Sequence, residues 1–344
     1  MRVVRILWRV KTLPLNPSDS SIEEAVRLLK AGELVAFPTE TVYGLGADAT
    51  NESAVRKIFE VKGRPSTNPL IVHVADPSAI AKYCDIERSF DPQLISRRLE
   101  KLSTLWPGPL SVVLPRKDEI APSVSAGGDT VAIRIPNHPV ALALLSTFGG
   151  PLAAPSANPS EYVSPTTAEH VRSGLGSKVQ CVLDGGPCAI GLESTVLSLL
   201  EQSPRILRPG AITRAKLEEV LETEVLGATD LDEKQEVKLS PGLLAKHYAP
   251  RTPVRLHSTL PPNTALPGRI GVILFGPHEL SFVPTETRIL SERGDLEEVA
   301  ARLFAALREL DALSLDVIIV DTCNPVGLGE AIMDRLLRAS AKTA

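Results

Sequence analysis

Short apolar runs closed off by proline or glycine alternate with stretches that carry a single apolar helical face, and this alternation constrains the fold most. The runs at 34–38, 70–74, 110–114, 130–135, 180–183, 195–200 and 205–207 read as strands. Between them, Ser20-Ser21-Ile22-Glu23 opens a helix over 24–31 that Gly32 closes. Apolar residues at 54, 55, 58 and 61 put one helical face on 53–61. Further helices are predicted over 92–102, 139–148, 166–173 and 214–221. The elements interleave without a strict β-α-β rhythm. An α/β fold built on an open, twisted, mixed sheet with helices packed against it follows.

The pattern breaks at 225–238. Asp230-Leu231-Asp232-Glu233-Lys234-Gln235-Glu236 is polar and aperiodic and reads as a solvated linker, which runs on through residues 240–250. A new unit then begins, with a strand at 269–275, an amphipathic helix at 296–313 and a strand at 316–320. The turn Asn324-Pro325-Val326-Gly327 leads into a last helix at 328–339. This is a small C-terminal Rossmann-like α/β domain of about 90 residues with β-α-β character. The expected organisation is 1–224 catalytic domain, 225–253 linker and lid, and 254–344 C-terminal domain.

Composition narrows the function. A net charge of −4 leaves no global basic field for nucleic acid, and 4% aromatics leave little surface on which bases could stack. A phosphate-bearing ligand must therefore meet a local cationic pocket. The cysteines at 84, 181, 188 and 323 lack the spacing of a zinc knuckle, and no His-Glu-x-x-His occurs, so no protein-held metal site is expected. They read as reduced thiols of a cytoplasmic protein. The first ten residues are apolar but broken by Arg2, Arg5 and Arg9, which does not make a signal peptide. No apolar run approaches the ~18–20 residues of a membrane span.

Lys62-Gly63-Arg64-Pro65-Ser66-Thr67-Asn68 places two cations and an amide in a turn between a helix and a strand, a setting suited to polyphosphate. Pro155-Ser156-Ala157-Asn158-Pro159 adds short polar groups on a proline-fixed loop; Ser156 and Asn158 could equally cap the turns. No Walker-type phosphate loop is present. Gly44-Leu45-Gly46-Ala47-Asp48-Ala49 fits a dinucleotide fingerprint formally, but the acidic residue needed about 20 positions on is replaced by Lys62 and Arg64. A tight loop whose backbone lines a pocket is the better reading. Arg134 lies in the apolar strand Val131-Ala132-Ile133-Arg134-Ile135-Pro136 and shares a face with Ala132. Such a charge faces solvent or is paired in a cleft. Arg208 ends a strand before Pro209-Gly210, where ligand-facing residues often sit. His73, inside Ile71-Val72-His73-Val74, reads as a core or a site histidine. No Ser-His-Asp order emerges, and Cys188 has no base near it in sequence.

These blocks together resemble the YrdC-like family in its long two-domain form. The match is carried by Phe37-Pro38-Thr39-Glu40-Thr41-Val42-Tyr43-Gly44-Leu45, Lys62-Gly63-Arg64, Asn68-Pro69-Leu70-Ile71-Val72-His73, Trp106-Pro107-Gly108, Arg134-Ile135-Pro136 and residues 153–158. Glu193-Ser194-Thr195-Val196, Arg208-Pro209-Gly210, Ser240-Pro241-Gly242 and His247-Tyr248-Ala249-Pro250 extend it over nearly the whole chain.

The resemblance implies a twisted sheet enclosing a large concave cavity. It also implies a nucleotidyltransferase that makes L-threonylcarbamoyladenylate and pyrophosphate from L-threonine, bicarbonate or CO2 and ATP, with Mg2+ accompanying ATP. A partner threonylcarbamoyl-transferase would carry the group to tRNA beside the anticodon; a weak direct contact with tRNA is left open. By motif position, ATP contacts fall on Arg64, Asn68, Thr130, Ser156, Asn158, Ser164, Arg208 and Tyr248. Threonine contacts fall on Thr41, His73, Arg134, Ala154 and Ser194. Lys62 and Arg64 are the expected catalytic cations. Tyr248 lies in the linker, so the linker is expected to fold back over the cavity. An RNA-binding module, a hydrogenase-maturation type carbamoyl transferase and an NAD dehydrogenase fit less well, on charge, missing zinc fingers and missing fingerprint respectively.

Overall fold

The computed structural model describes residues 11–13, 19–227, 247–260 and 268–341. Residues 228–246, which hold most of the expected linker, lie outside them. The strands before the linker are β1 (Lys11–Leu13), β2 (Val35–Phe37), β3 (Gly44–Asp48), β4 (Ile71–His73), β5 (Leu110–Pro115), β6 (Thr130–Arg134), β7 (Leu152–Ala153), β8 (Cys181–Leu183), β9 (Thr195–Ser198) and β10 (Arg205–Arg208). They form one mixed sheet in the order β1-β8-β2-β3-β7-β4-β6-β5-β9-β10.

Helices α1 (Asp19–Lys30), α2 (Glu52–Lys62), α3 (Ile80–Tyr83), α4 (Pro92–Leu102), α5 (Pro139–Phe148), α6 (Ala168–Leu175) and α7 (Arg214–Leu221) cover the sheet. Their boundaries follow local chemistry. Asn51 accepts a hydrogen bond from the Ala54 amide at the start of α2, and Asp91 does the same for Leu94 ahead of Pro92 in α4. Helix α2 ends on Gly63 at φ 62°, a left-handed conformation that glycine adopts without a Cβ clash, and this turns Arg64 back toward the sheet.

Strand alternation separates two environments. Val72 of β4 and Val131 and Ile133 of β6 enter the main core with Ile58, Ile95 and Leu197. Ile71, Ala132 and their strand neighbours His73 and Arg134 point the other way. Parallel pairing of β4 with β6 sets His73 directly beside Arg134. Gly44-Leu45-Gly46, expected as a loop, is instead strand β3, paired antiparallel with β2. The glycines are needed for close approach: a Cβ on Gly46 would lie 2.8 Å from the Phe37 ring.

After the linker, β11 (Val254–Leu256), β12 (Ile270–Leu274), β13 (Glu286–Ile289) and β14 (Val317–Val320) form a parallel sheet ordered β11-β14-β12-β13. Helices α8 (Leu296–Asp311) and α9 (Leu328–Ser340) pack with it. The apolar cluster of this unit also takes in Val42, Val163 and Leu192 from the first unit. Gly191 approaches α8 so closely that a Cβ there would meet the Ala300 carbonyl at 2.4 Å. Arg308 of α8 donates to the carbonyls of Val163, Ser164 and His170, and Tyr162 donates to Asp311 at 2.7 Å. Among the described residues, no helix is long and apolar enough to cross a membrane.

Candidate active site

The face of β4 and β6 that carries His73 and Arg134 opens into a cleft lined by Thr39, Thr41, Val42, Gly44, Arg64, Ile71, His73, Arg134, Ala154, Pro155, Ser156, Glu193, Ser194, Arg208, His247 and Tyr248. Each wall has a local cause. The Thr39 hydroxyl donates to the Val42 carbonyl at 2.7 Å and accepts from the amides of Thr41 and Val42, which fixes the turn carrying Thr41. The loop holding Ser156 is tied to β3 by Leu45 N–H to the Pro155 carbonyl and Ala157 N–H to the Tyr43 carbonyl. Ser194 leads into β9, where its hydroxyl shares a hydrogen bond with Ser111 at 2.8 Å.

Three buried guanidinium groups give the cleft its charge. Arg64 donates to the Asn68 carbonyl at 3.0 Å, the Asn68 side-chain oxygen at 2.6 Å and the Pro69 carbonyl at 2.8 Å. Burial lowers its pKa to about 9, with Arg208 adding repulsion, so it stays charged at neutral pH. Arg208 donates to the Ser194 carbonyl at 3.1 and 3.0 Å, and burial lowers its pKa too. Arg134 approaches Glu40 to 2.7 Å with both side chains buried. The contact is not an aligned hydrogen bond, and the Nε and Nη2 of Arg134 have no hydrogen-bond partner.

His73 beside it is pulled down to about 3 by burial and then by Arg134; the carbonyls of Ile71 and Leu152 offset this only in part. It is therefore neutral, and its buried Nδ1 has no hydrogen-bond partner. The Tyr248 hydroxyl and the Asn68 amide nitrogen are also buried without one. Since buried polar groups are normally paired, the His73 nitrogen and the Tyr248 hydroxyl, both in the lining without a partner, mark a site for a polar ligand.

Of the expected site residues, Thr41, Arg64, His73, Arg134, Ala154, Ser156, Ser194, Arg208 and Tyr248 are brought together in the lining. Lys62, Asn68, Thr130, Asn158 and Ser164 are not. Lys62 is buried under the Ser156 loop, where its Nζ donates to the Ser156 carbonyl at 2.5 Å and to the Asn158 carbonyl. Burial, then Arg64 and Arg308, push its pKa far down. Asn158 donates to the carbonyls of Pro159 and Tyr162, both at 2.8 Å. Ser164 donates to Glu193 at 2.5 Å. Thr130 begins β6 opposite Pro115. Cys188 is buried and its thiol is pushed up by that burial, which leaves it a poor nucleophile.

Sequence reasoning gave no role to Glu40 or Glu193, nor to Arg335 of α9. The Arg335 Nε lies 3.1 Å from a Glu193 carboxylate oxygen, and its Nη1 donates to the Pro209 carbonyl at 2.7 Å. The run Glu193-Ser194 between two strands was a signal for Glu193; nothing local signals Arg335.

His247 and Tyr248 cross the mouth of the cleft from the C-terminal side. Tyr248 is fully buried, stacked on Phe304 at 5.5 Å, with Arg335 above its ring. With them in place the cleft, still partly open to solvent, holds a cavity volume of about 40 Å³, room for about three waters at ~10–15 Å³ each.

The fold and cleft define a class: a mixed α/β protein with a buried cleft whose lining carries three guanidinium groups. The sequence profile described as "Telomere recombination", that of Sua5, YciO and YrdC, matches residues 27–210, and that of "Threonylcarbamoyl-AMP synthase, C-terminal domain" matches residues 212–341. The chain belongs to the Sua5/YciO/YrdC family, in its form with the C-terminal domain.

It is 42% identical over 339 residues to the threonylcarbamoyl-AMP synthase of Bacillus subtilis, covering 95% of this chain and 94% of that one. It is 39% identical to the threonylcarbamoyl-AMP synthase of Pyrococcus abyssi, covering 96% of this chain and 98% of that one. The crystal structure of P. abyssi Sua5 complexed with L-threonine superposes with a TM-score of 0.82 at 36% identity, covering 96% of this chain and 97% of that one.

Proposed function

We infer that this chain is a threonylcarbamoyl-AMP synthase, joining L-threonine, bicarbonate or CO2 and ATP into L-threonylcarbamoyladenylate and pyrophosphate. The observation that carries the reading is the placement of His73 beside Arg134 on adjacent parallel strands, both buried in the cleft lining, with the His73 Nδ1 lacking a hydrogen-bond partner and the Arg134 guanidinium met by Glu40 at 2.7 Å. The planar fork of Arg134 suits a carboxylate, and threonine supplies one. The relative whose crystal structure holds L-threonine shares this fold over nearly its whole length.

The threonine amine captures CO2 as a carbamate, and a carbamate oxygen then attacks the α-phosphorus of ATP as pyrophosphate leaves. No protein nucleophile is required. Arg64 and Arg208 answer the charge that builds on the triphosphate, worth most in a site closed to water. Two anionic reactants must also be held in line, which the fixed walls provide.

Mg2+ arriving with the triphosphate would supply neutralising charge for the departing pyrophosphate. Glu193, the carboxylate in the lining, is already engaged by Ser164 and Arg335. Among the described residues the cleft lining therefore holds no free carboxylate for Mg2+, and the ion would be held mainly by phosphates.

The His247–Tyr248 segment serves as a lid. ATP does not fit in the space left with Tyr248 seated, so the His247–Tyr248 segment moves to admit it and returns to exclude water from a carbamate and a mixed anhydride. The protein acts in the cytoplasm and hands its product to a threonylcarbamoyl-transferase acting on tRNA. The test is incubation with threonine, bicarbonate, Mg2+ and ATP, with the product identified by mass. Pyrophosphate release independent of threonine and bicarbonate would overturn the reading.

A further inference from the structure

The four strands of the C-terminal sheet run parallel and end on one edge, where α/β sheets bind ligands. The segments leaving β11, β12 and β14 bring His257, His278 and Asp321 together there, with their ligand atoms all within 4.8 Å of one another. None of the three lines the catalytic cleft.

We propose that His257, His278 and Asp321 form a binding site for a divalent transition-metal ion of the zinc class. His257 Nδ1 lies 3.4 Å and His278 Nε2 3.6 Å from the same Asp321 oxygen, Oδ1. A tetrahedral ion holding nitrogen and oxygen at ~2.0–2.1 Å needs its ligand atoms about 3.3 Å apart. The two histidine–carboxylate separations are already close to that, and the two histidine nitrogens lie within 4.8 Å of each other.

The surrounding hydrogen bonds point the same way. His278 Nδ1 lies 3.2 Å from the Gly276 carbonyl, which can only accept. In the tautomer in which Nδ1 donates to that carbonyl, Nε2 turns a lone pair toward Asp321. Two acceptors then face each other, an arrangement that a cation reconciles. A carbonyl that fixes the far nitrogen is also the usual outer partner of a metal-bound histidine. The other Asp321 oxygen, Oδ2, accepts from the Phe275 amide at 2.9 Å, which fixes the carboxylate and leaves Oδ1 for the ion. Mixed imidazole and carboxylate donors favour zinc-like ions over Mg2+ or Ca2+. Three protein ligands leave one position for water or an anionic oxygen. The two histidine side chains are 36% and 40% exposed, so the site is reachable from solvent.

A protonated histidine could bridge the same gap, and the experiment separates the two cases. Full-length protein, freed of metal by a chelator and returned to near-neutral buffer, is titrated calorimetrically with Zn2+, and with Co2+ as a spectroscopic probe. One ion per chain is expected, with tetrahedral cobalt absorption and a rise in Tm. His257→Ala and His278→Ala are expected to stay folded by circular dichroism. Each should weaken binding by more than the roughly 10–100-fold that loss of an outer partner costs, and each should lose the Tm rise. No zinc uptake by the parent protein, or uptake and a Tm rise unchanged in both variants, overturns the site and leaves a histidinium–carboxylate pair.

Discussion

The guanidinium of Arg335, carried by the last helix of the C-terminal unit, lies 3.1 Å from the carboxylate of Glu193 in the catalytic cleft, and the two side chains are 0% and 8% exposed. The pair joins the second unit to the floor of the first. Glu193 also holds Ser164, and Arg335 also holds the Pro209 carbonyl beside Arg208. Arg335 also pairs with Asp334 at 2.8 Å, so it is loss of Arg335 that strands a buried charge, the Glu193 carboxylate, which typically costs about 3–5 kcal/mol. Arg335→Met is therefore expected to lower stability by that order and to reduce turnover. The double variant Arg335→Met/Glu193→Gln should recover much of the stability. Urea unfolding of the three proteins tests this, and equal losses in the single and double variants would show the pair to be uncoupled.

Arg134→Ala is expected to raise the KM for threonine with little change in that for ATP. Charge-assisted hydrogen bonds contribute about 1.5–3 kcal/mol, so an effect of roughly 10–150-fold is expected. Glu40, 2.7 Å from Arg134, competes with the threonine carboxylate for the same guanidinium. Glu40→Gln should accordingly leave the threonine KM unchanged or lower it. A raised ATP KM with normal threonine KM in Arg134→Ala would remove the assignment.

Lys62 and Arg64 are expected to fail differently. Arg64 faces the cleft and should act on the triphosphate, so Arg64→Ala should lower kcat even at saturating ATP. Lys62 spends its ammonium on the loop carbonyls of Ser156 and Asn158. Its loss should loosen that loop, lowering thermal stability together with kcat. Near-normal turnover in both variants would dismiss a role for either.

Much of this was legible in the sequence because helices declare themselves locally. Proline at the first turn and a polar cap mark the starts of α4 and α5, and both lie where periodicity puts them. The alternation around Arg134 likewise put it on the face of Ala132, leaving solvent or a cleft open, and the structure places it in the cleft lining. Other features were hidden for physical reasons. Gly44 and Gly46 look like loop residues, yet they sit in a strand because the Phe37 ring occupies the space of a side chain. Strand β13 alternates partly buried and exposed residues at a sheet edge and has no apolar run. The roles of Glu193 and Arg335 arise from a contact between residues 142 positions apart, which no local spacing reveals. His257, His278 and Asp321 meet only because three parallel strands end side by side.

Acid should destabilise the fold through its buried histidines. His73 is depressed to about 3 and His170 to about 4, in both cases by burial first, and His247 is pushed well below its ordinary value. An unfolded chain takes up these protons near pH ~6.5, before the native state does. The unfolded state then binds more protons, so stability falls as pH drops from about 6.5 toward the folded values, by up to about 1.4 kcal/mol per pH unit for each group. Above that window the three contribute no pH dependence. His73→Asn should flatten the slope between about pH 6 and 4 by one proton's worth, measured by urea unfolding at a series of pH values. An unchanged slope would mean that His73 protonates in the native protein.

Tyr248 offers the sharpest test of the lid. Its backbone sits at φ 61°, a left-handed conformation that costs a tyrosine energy. Its ring is held by Phe304 and Arg335, and the next residue is pinned by a hydrogen bond from Ala249 N–H to the Glu161 carbonyl at 2.9 Å. A strained residue kept in place by contacts can leave when a ligand competes for the space. Tyr248→Phe removes only a hydroxyl that has no partner in the protein, so it should keep the lid and change KM for ATP more than product retention. Tyr248→Ala removes the ring that shuts the cleft. Adenylate should then form more slowly, escape faster and hydrolyse sooner, while the catalytic unit stays folded. The readouts are pyrophosphate release and the amount of intact adenylate that stays bound through rapid gel filtration. If Tyr248→Ala retains product as well as the parent does, the segment is a tether between two units and closure of the cleft lies elsewhere.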